Sequence, residues 1–195
     1  MKPLLILASQ SPRRIELLQS LRIPFEVDQA KEFQEVPHIG KLPEELVLHN
    51  ALGKAEEVAG RHPGTLVLGV DTIGVFEGKI LEKPKDEEDA FQMLSLLQGQ
   101  THEVLTGLCL LGPNKKITHV ESTRVTFLPL TDEEIRAYIQ TGEPMDKAAS
   151  YAVQGRGSLF VKKIEGDYFN VVGLPLYRLN LMLREFDIHL LGEVK

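Results

Sequence analysis

The chain has 195 residues, of which 43% are hydrophobic and 26% charged, with a net charge of −6 and a single cysteine. Such a length builds one domain with a full core, or two lobes sharing a cleft. The acidic balance argues against nucleic acid as a partner, no apolar run reaches membrane-spanning length, and one cysteine excludes a disulfide framework. The short N-terminal apolar stretch does not make a signal h-region, so a cytoplasmic protein is expected. An anionic substrate would then need local cations or a metal.

The first predicted strand, Leu4 to Ala8, runs into Ser9-Gln10-Ser11-Pro12-Arg13-Arg14. Ser11 has the chemistry of an N-cap and Pro12 suits the first helical position, opening a helix over Arg13 to Leu21. Cations oppose the dipole at a helix start, so Arg13 and Arg14 suit an anion such as phosphate, or else are two solvated side chains beside a cap. A short strand follows at Pro24 to Val27. The helix over Pro43 to Ala59 sets Leu46, Ala51, Leu52 and Ala55 near one face, with Gly60 as its stop.

Thr65 to Val70 is a continuous apolar run, the pattern of a strand buried on both faces, and it closes on Asp71. A carboxylate at the end of such a strand is either a metal ligand or general base, or a turn-forming Asp. Glu77-Gly78 turns a short hairpin from Ile73–Phe76 to Lys79–Leu81, and Pro84 stiffens the exit that carries Lys83. Lys83 and the helical Lys54 are either phosphate holders or surface lysines. A helix over Glu87 to Leu97, capped by Asp86, exits at Gly99.

Two long strands, His102 to Leu111 and Lys116 to Leu128, are joined by a Gly-Pro-Asn-Lys turn, and Cys109 reads as a buried strand residue. Thr131 and Glu134 have capping-box spacing for a helix that ends at Gly142. Residues 142 to 155 form a dense polar segment. Within it Gln154 carries both amide donors and an acceptor, suited to a pyrimidine edge or simply to a capped loop. A strand over Leu159 to Ile164, a tight turn, an extended stretch in which Asn170 is a cap or a ligand contact, and a helix over Pro175 to Phe186 complete the chain. Mixed strands and helices with long antiparallel strands predict an α/β fold: a mixed twisted sheet with flanking helices, in one domain over residues 1–195. The motifs of Rossmann, P-loop, serine-hydrolase and zinc enzymes are absent from the sequence.

Taken together, six collinear segments resemble the Maf family of nucleoside triphosphate pyrophosphatases. They are residues 7–14, Asp71-Thr72, Glu82-Lys83-Pro84, residues 99–106, the run Asp146 to Tyr151 with Gln154-Gly155, and residues 170–176. The segment from Asp146 to Gln154 is similar to the branch acting on dTTP and UTP. The resemblance implies an inosine triphosphatase-like fold of two lobes around a nucleotide cleft, and hydrolysis between the α and β phosphates. By the same resemblance Asp71 is the proton acceptor, Arg13, Thr72 and Gln154 set base choice, and Ser9, Arg14, Lys54 and Lys83 line the phosphate path. Asp71 and Glu35 are implied as ligands of Mg²⁺ or Mn²⁺, and a homodimer as the assembly, with neither nucleic acid nor membrane as partner. Two positions depart from the family pattern: Ala149 stands where glycine is usual, and Gly74 where valine is common. Two other functions compete, a 7-methyl-GTP pyrophosphatase of the same family and a non-catalytic nucleotide-binding regulator of septum formation.

Overall fold

The computed structural model describes residues 4–35 and 40–191. Its elements run β1 (Leu5–Leu7), α1 (Pro12–Ser20), β2 (Phe25–Val27), α2 (Pro43–Arg61), β3 (Leu66–Phe76), β4 (Lys79–Leu81), α3 (Glu87–Leu97), β5 (Thr101–Leu111), β6 (Lys116–Phe127), α4 (Asp132–Ile139), β7 (Val161–Glu165), α5 (Tyr168–Val172) and α6 (Leu176–Arg184). Three short 3₁₀ turns, Glu143–Asp146, Ala148–Ser150 and Gly155–Leu159, occupy the polar segment between α4 and β7. The strands form one mixed seven-stranded sheet of order β2-β1-β3-β5-β6-β7, with β4 added beside β3. No helix among the described residues is long and apolar enough to cross a membrane.

The chain divides into two compact units that interleave along the sequence. The first takes Met1–Asp71, Thr106–Glu121 and Gly173–Lys195, and the second takes Thr72–Leu105 and Ser122–Val172. In the first, β1 pairs in parallel with both β2 and the start of β3. Its core joins Ile6, Ala8 and Val67 of the sheet to Ala51, Ala55 and Val58 of α2, with Cys109 among them. Burial pushes the Cys109 thiol up to about 12, so it is an inert core residue, as its apolar surroundings in the sequence suggested.

Glycine sets how closely α2 lies on this sheet. A Cβ on Gly69 of β3 would stand 2.0 Å from the Ala51 carbonyl oxygen, and one on Gly107 of β5 would stand 2.4 Å from that of Val47. The helix also passes its expected stop at Gly60. Arg61 binds Asp28, Glu57 and the Gln29 carbonyl, contacts that favour one more helical residue over the freedom of glycine.

The second unit is built on an aromatic cluster. Phe127 meets His102, Tyr151 and Phe160 edge to face, and Phe160 meets Tyr138 in the same way. The stretch from Asn170, expected to be extended after a turn at Glu165 to Tyr168, instead begins inside the short helix α5, Tyr168–Val172. Fully buried Asn170 decides this by donating to the Val104 carbonyl and to Thr123 Oγ1, an internal brace in place of a ligand contact.

Candidate active site

Asp71 does not end its strand. β3 continues through Phe76, because its partner on that side changes along the way. β1 pairs with Leu66–Leu68, and β4 pairs antiparallel with Gly74–Phe76. Asp71 falls in the interval, where neither partner covers the strand, so a carboxylate inside a strand occupies a place comparable to a strand end. It is 8% exposed, and a buried carboxylate needs partners. Two come from α2, one turn apart: Asn50 Nδ2 donates to Oδ2 at 3.1 Å and Lys54 Nζ to Oδ1 at 2.7 Å. The close approach at Gly69, two residues earlier on β3, delivers both.

Lys54 also binds Glu35 Oε1 at 2.5 Å, so one ammonium bridges two carboxylates of opposite exposure. Glu35 reaches it because residues 31–33 are laid along α2. Glu57 accepts the backbone N–H groups of Lys31, Glu32 and Phe33 at 2.7, 3.1 and 2.6 Å. Those bonds, led by Lys31 and joined by Arg61, hold the Glu57 carboxyl at about 2 against its modest desolvation. The Phe33 ring fills the space over Gly53, where a Cβ would stand 2.0 Å from it. Positions 50, 53, 54, 57 and 61 of α2 thus share one face, and of these the sequence marks only Lys54 as a candidate.

Arg14 lies within electrostatic reach of Asp71 and Glu35. Its Nε donates to the Gly173 carbonyl at 2.9 Å, and its Nη1 to Ser9 Oγ at 3.0 Å and to the Val70 carbonyl at 3.2 Å. Burial lowers its pKa to about 10, with Asp71 and Glu35 opposing that shift and Arg13 adding to it. The guanidinium is therefore a fixed charge braced on three chain segments. Ser11 does not cap α1 with its side chain as expected. Ser9 Oγ accepts the Ser11 N–H at 3.3 Å while also receiving Arg14. Ser9, Arg14, Glu35, Lys54 and Asp71 are thus linked in the first unit, and Arg13 lies half-buried within electrostatic reach of Arg14.

A divalent cation fits this donor set. The point between Glu35 and Asp71 already holds a positive charge, the Lys54 ammonium. Mg²⁺ commonly takes only one or two protein carboxylates and completes its shell with water and phosphate oxygens. Among the described residues no group of three or more His, Cys, Asp or Glu gathers to form an all-protein cage.

The second unit carries Thr72, Lys83 and Gln154. Thr72 follows Asp71 on β3 and is half-buried, whereas Lys83 and Gln154 are exposed. Lys83 stands between buried Pro84 and Glu82, whose carbonyl accepts the Ala149 N–H at 3.1 Å. Ala149 and Ser150 both take positive φ, 57° and 59°, an uncommon conformation for non-glycine residues. The two departures from the family pattern meet here: a Cβ on Gly74 would stand 2.6 Å from the Ala149 Cβ. The methyl group at 149 fills the space that a side chain at 74 would take. Ser150 Oγ donates to Met93 Sδ, and Tyr151 shares a 2.9 Å hydrogen bond with buried His102. Sequence reasoning missed Glu143 and Tyr138, which fasten the backbone around Gln154.

The model of the Maf-like protein family matches residues 4–186. The chain belongs to the Maf family. A relative from Koribacter versatilis, named a dTTP/UTP pyrophosphatase, is 52% identical over 184 residues, covering 94% of this chain and 95% of its own. One of the same name from Bacillus cytotoxicus is 50% identical over 182 residues, covering 93% and 95%. A nucleoside-triphosphatase, or dITP/XTP pyrophosphatase, from Mycobacterium abscessus is similar at 18% identity and a TM-score of 0.40, covering 71% of this chain and 94% of its own.

Proposed function

We infer that this chain is a nucleoside triphosphate pyrophosphatase that hydrolyses dTTP and UTP between the α and β phosphates, releasing a nucleoside monophosphate and diphosphate. The observation that carries the reading is the Lys54 ammonium bridging Asp71 and Glu35 beside the braced Arg14. Family membership and relatives named for that activity, about half identical over 93–94% of this chain, support it.

The barrier lies in bringing water to a phosphorus shielded by several negative charges, so positioning and charge neutralisation do most of the work. Asp71 accepts the proton of the attacking water. Its hydrogen bonds from Asn50 and Lys54 leave the carboxylate little freedom to turn. Asp71 and Glu35 would hold a divalent cation, Mg²⁺ or Mn²⁺. When bound, that ion supplies charge neutralisation at the phosphate oxygens and makes a bound water more acidic. Arg13, Arg14, Lys54 and Lys83 hold the triphosphate and offset charge on the leaving diphosphate. Ser9 completes the polar lining, while Arg13, Thr72 and Gln154 select the base. The carboxamide of Gln154 distinguishes the 4-oxo, N3–H edge of uracil and thymine from the 4-amino edge of cytosine. A homodimer in the cytoplasm is the assembly and location this reading carries with it.

The test is purified protein with UTP, dTTP, CTP, dCTP, dATP, dGTP and 7-methyl-GTP, with and without EDTA. Diphosphate and monophosphate are expected from UTP and dTTP, and EDTA should abolish both. Asp71→Asn should lower turnover more than about tenfold, or about 1.4 kcal/mol of barrier; a smaller loss removes Asp71 from its role. Orthophosphate in place of diphosphate would move the cut to another linkage.

A further inference from the structure

The segment bearing Gln154 owes its course to a carboxylate that the reaction does not use. Glu143 follows α4 and opens the Glu143–Asp146 turn. Its Oε1 accepts the Tyr138 hydroxyl at 2.9 Å and the Gly157 N–H at 2.9 Å, and its Oε2 accepts the Arg156 N–H at 3.0 Å. The Tyr138 hydroxyl in turn accepts the Ala152 N–H at 3.1 Å. Backbone is therefore tied down two residues before Gln154 and two and three residues after it. The Tyr138 ring lies edge to face on Phe160, 5.0 Å between centroids, which fixes where its hydroxyl points.

Gly155 shows how tightly the strap is drawn. It has φ +76°, and a Cβ there would stand 2.6 Å from Glu143 Oε2. Lys147 Nζ adds a bond to the Glu143 carbonyl at 2.8 Å. Partial burial opposes the charge on Glu143, but the Gly157 and Arg156 N–H groups, the Tyr138 hydroxyl and Lys147 outweigh it. The carboxyl therefore sits below its ordinary range. Within this span Gln154, Gly155 and Arg156 are exposed while Ala152, Val153 and Gly157 are buried, so a strap tied down on both sides carries the Gln154 amide at the surface.

We propose that Glu143 is a positioning residue for base selection, which, with Tyr138, fastens the backbone on both sides of Gln154 and so fixes where its amide is offered to the pyrimidine. This rests on the reading of Gln154 as the base-reading group. Glu143 acts through Gln154 and touches no substrate. A half-buried carboxylate collecting three donors is stiff, whereas an untethered loop would let the amide turn to meet either pyrimidine edge.

The experiment measures kcat/KM for UTP and for CTP on the same preparation and takes their ratio, in which the fraction of active protein cancels. The variants are Gln154→Ala, Glu143→Ala, Glu143→Gln, Tyr138→Phe and the double variant Glu143→Ala with Gln154→Ala. Gln154→Ala and Glu143→Ala should each lower the ratio about fivefold or more, around 1 kcal/mol. The double variant should discriminate no worse than Gln154→Ala alone. Glu143→Gln should recover part of the ratio, because an amide oxygen can still accept from Tyr138 and Gly157 but its NH₂ faces the Arg156 N–H. If Glu143→Ala fails to fold, Tyr138→Phe decides by the same criterion, since it keeps the ring and loses the bridge. A wild-type ratio in Glu143→Ala or Tyr138→Phe, beside a lost ratio in Gln154→Ala, overturns the proposal and leaves the base-reading role of Gln154 standing. Equal loss on both substrates also overturns it. An unchanged ratio in Gln154→Ala, or no preference in the wild type, overturns it together with the reading beneath.

Discussion

Gly69→Ala tests whether the packing of α2 on β3 is what assembles the site. The added carbon would lie 2.0 Å from the Ala51 carbonyl oxygen and 2.9 Å from the Ala55 Cβ. Ordinary contact for such atoms is about 3.5 Å, so helix and strand must part by more than about 1 Å. Overfilling of this kind costs about 1–3 kcal/mol, which for a chain of this size lowers the melting temperature by about 3–10 °C. The same displacement acts on function. Asn50 and Lys54 flank Ala51 on α2, and their 3.1 and 2.7 Å bonds to Asp71 cannot both survive it. A misplacement of that size at a reacting group costs about 100-fold in turnover. Calorimetry and diphosphate release from UTP, the latter well below the new melting temperature, measure the two effects. Gly60→Ala is the control, because a Cβ there meets nothing within 4 Å. It should stabilise by about 0.5–1 kcal/mol and leave turnover alone. Gly69→Ala with the wild-type melting temperature refutes the packing argument. A lowered melting temperature with intact turnover separates the packing from the site.

Two further outcomes follow from the second unit. Gly74→Ala should destabilise by about 1–3 kcal/mol through its clash with the Ala149 methyl, and Ala149→Gly in the same chain should restore most of the loss. Additive effects in urea unfolding would show that the two positions do not touch in solution. Burial lowers the His102 pKa to about 4, so the folded protein refuses a proton that the unfolded chain takes up below its ordinary 6.5. Stability should therefore be complete above pH 6.5 and fall as the pH drops toward 4, by at most about 1.4 kcal/mol per unit and about 3 in all. His102→Gln should flatten that part of the curve, and an unchanged slope would assign the loss to other groups.

Legibility in the sequence tracked how local each feature is. The bounds of α3 are legible because Asp86 caps it through the Asp89 N–H and Gly99 follows it, signals within a few residues. The capping box of α4 was read for the same reason, with both of its bonds present. The length of β3 was not legible. Nothing near Asp71 announces that β1 stops at Leu7 while β4 takes up the pairing from Gly74. Ser11 has the residue type of a cap, but its side chain makes no cap hydrogen bond, and the polar contacts at this helix start belong to Ser9, which takes the Ser11 N–H and Arg14. The stretch from Asn170, expected to be extended, carries two β-branched valines, and the buried Asn170 brace holds it in a helical turn against that preference. In the site itself Asp71, Lys54 and Arg14 are named through the resemblance to the Maf family, because the residues by themselves leave each open between a site role and a turn or surface role. Asn50 was a polar residue on an apolar helix face, a signal present but unweighed. Glu57 and Glu143 act on backbone N–H groups of distant segments, and such a role leaves no mark in the residues flanking either one.

The brace between Arg14 and the Gly173 carbonyl spans 159 residues of chain. During synthesis at about 5–20 residues per second, the guanidinium emerges some 10–30 s before its acceptor exists. Until then the start of α1 has Ser9 and Val70 as partners but not the segment that closes over it. A nascent protein of this kind can finish its parallel β1–β3 pairing early and still lack the bond that completes the bracing of Arg14. Premature termination anywhere before residue 173 would leave a buried cation short of one of its bonds, a fragment poorly fitted to persist.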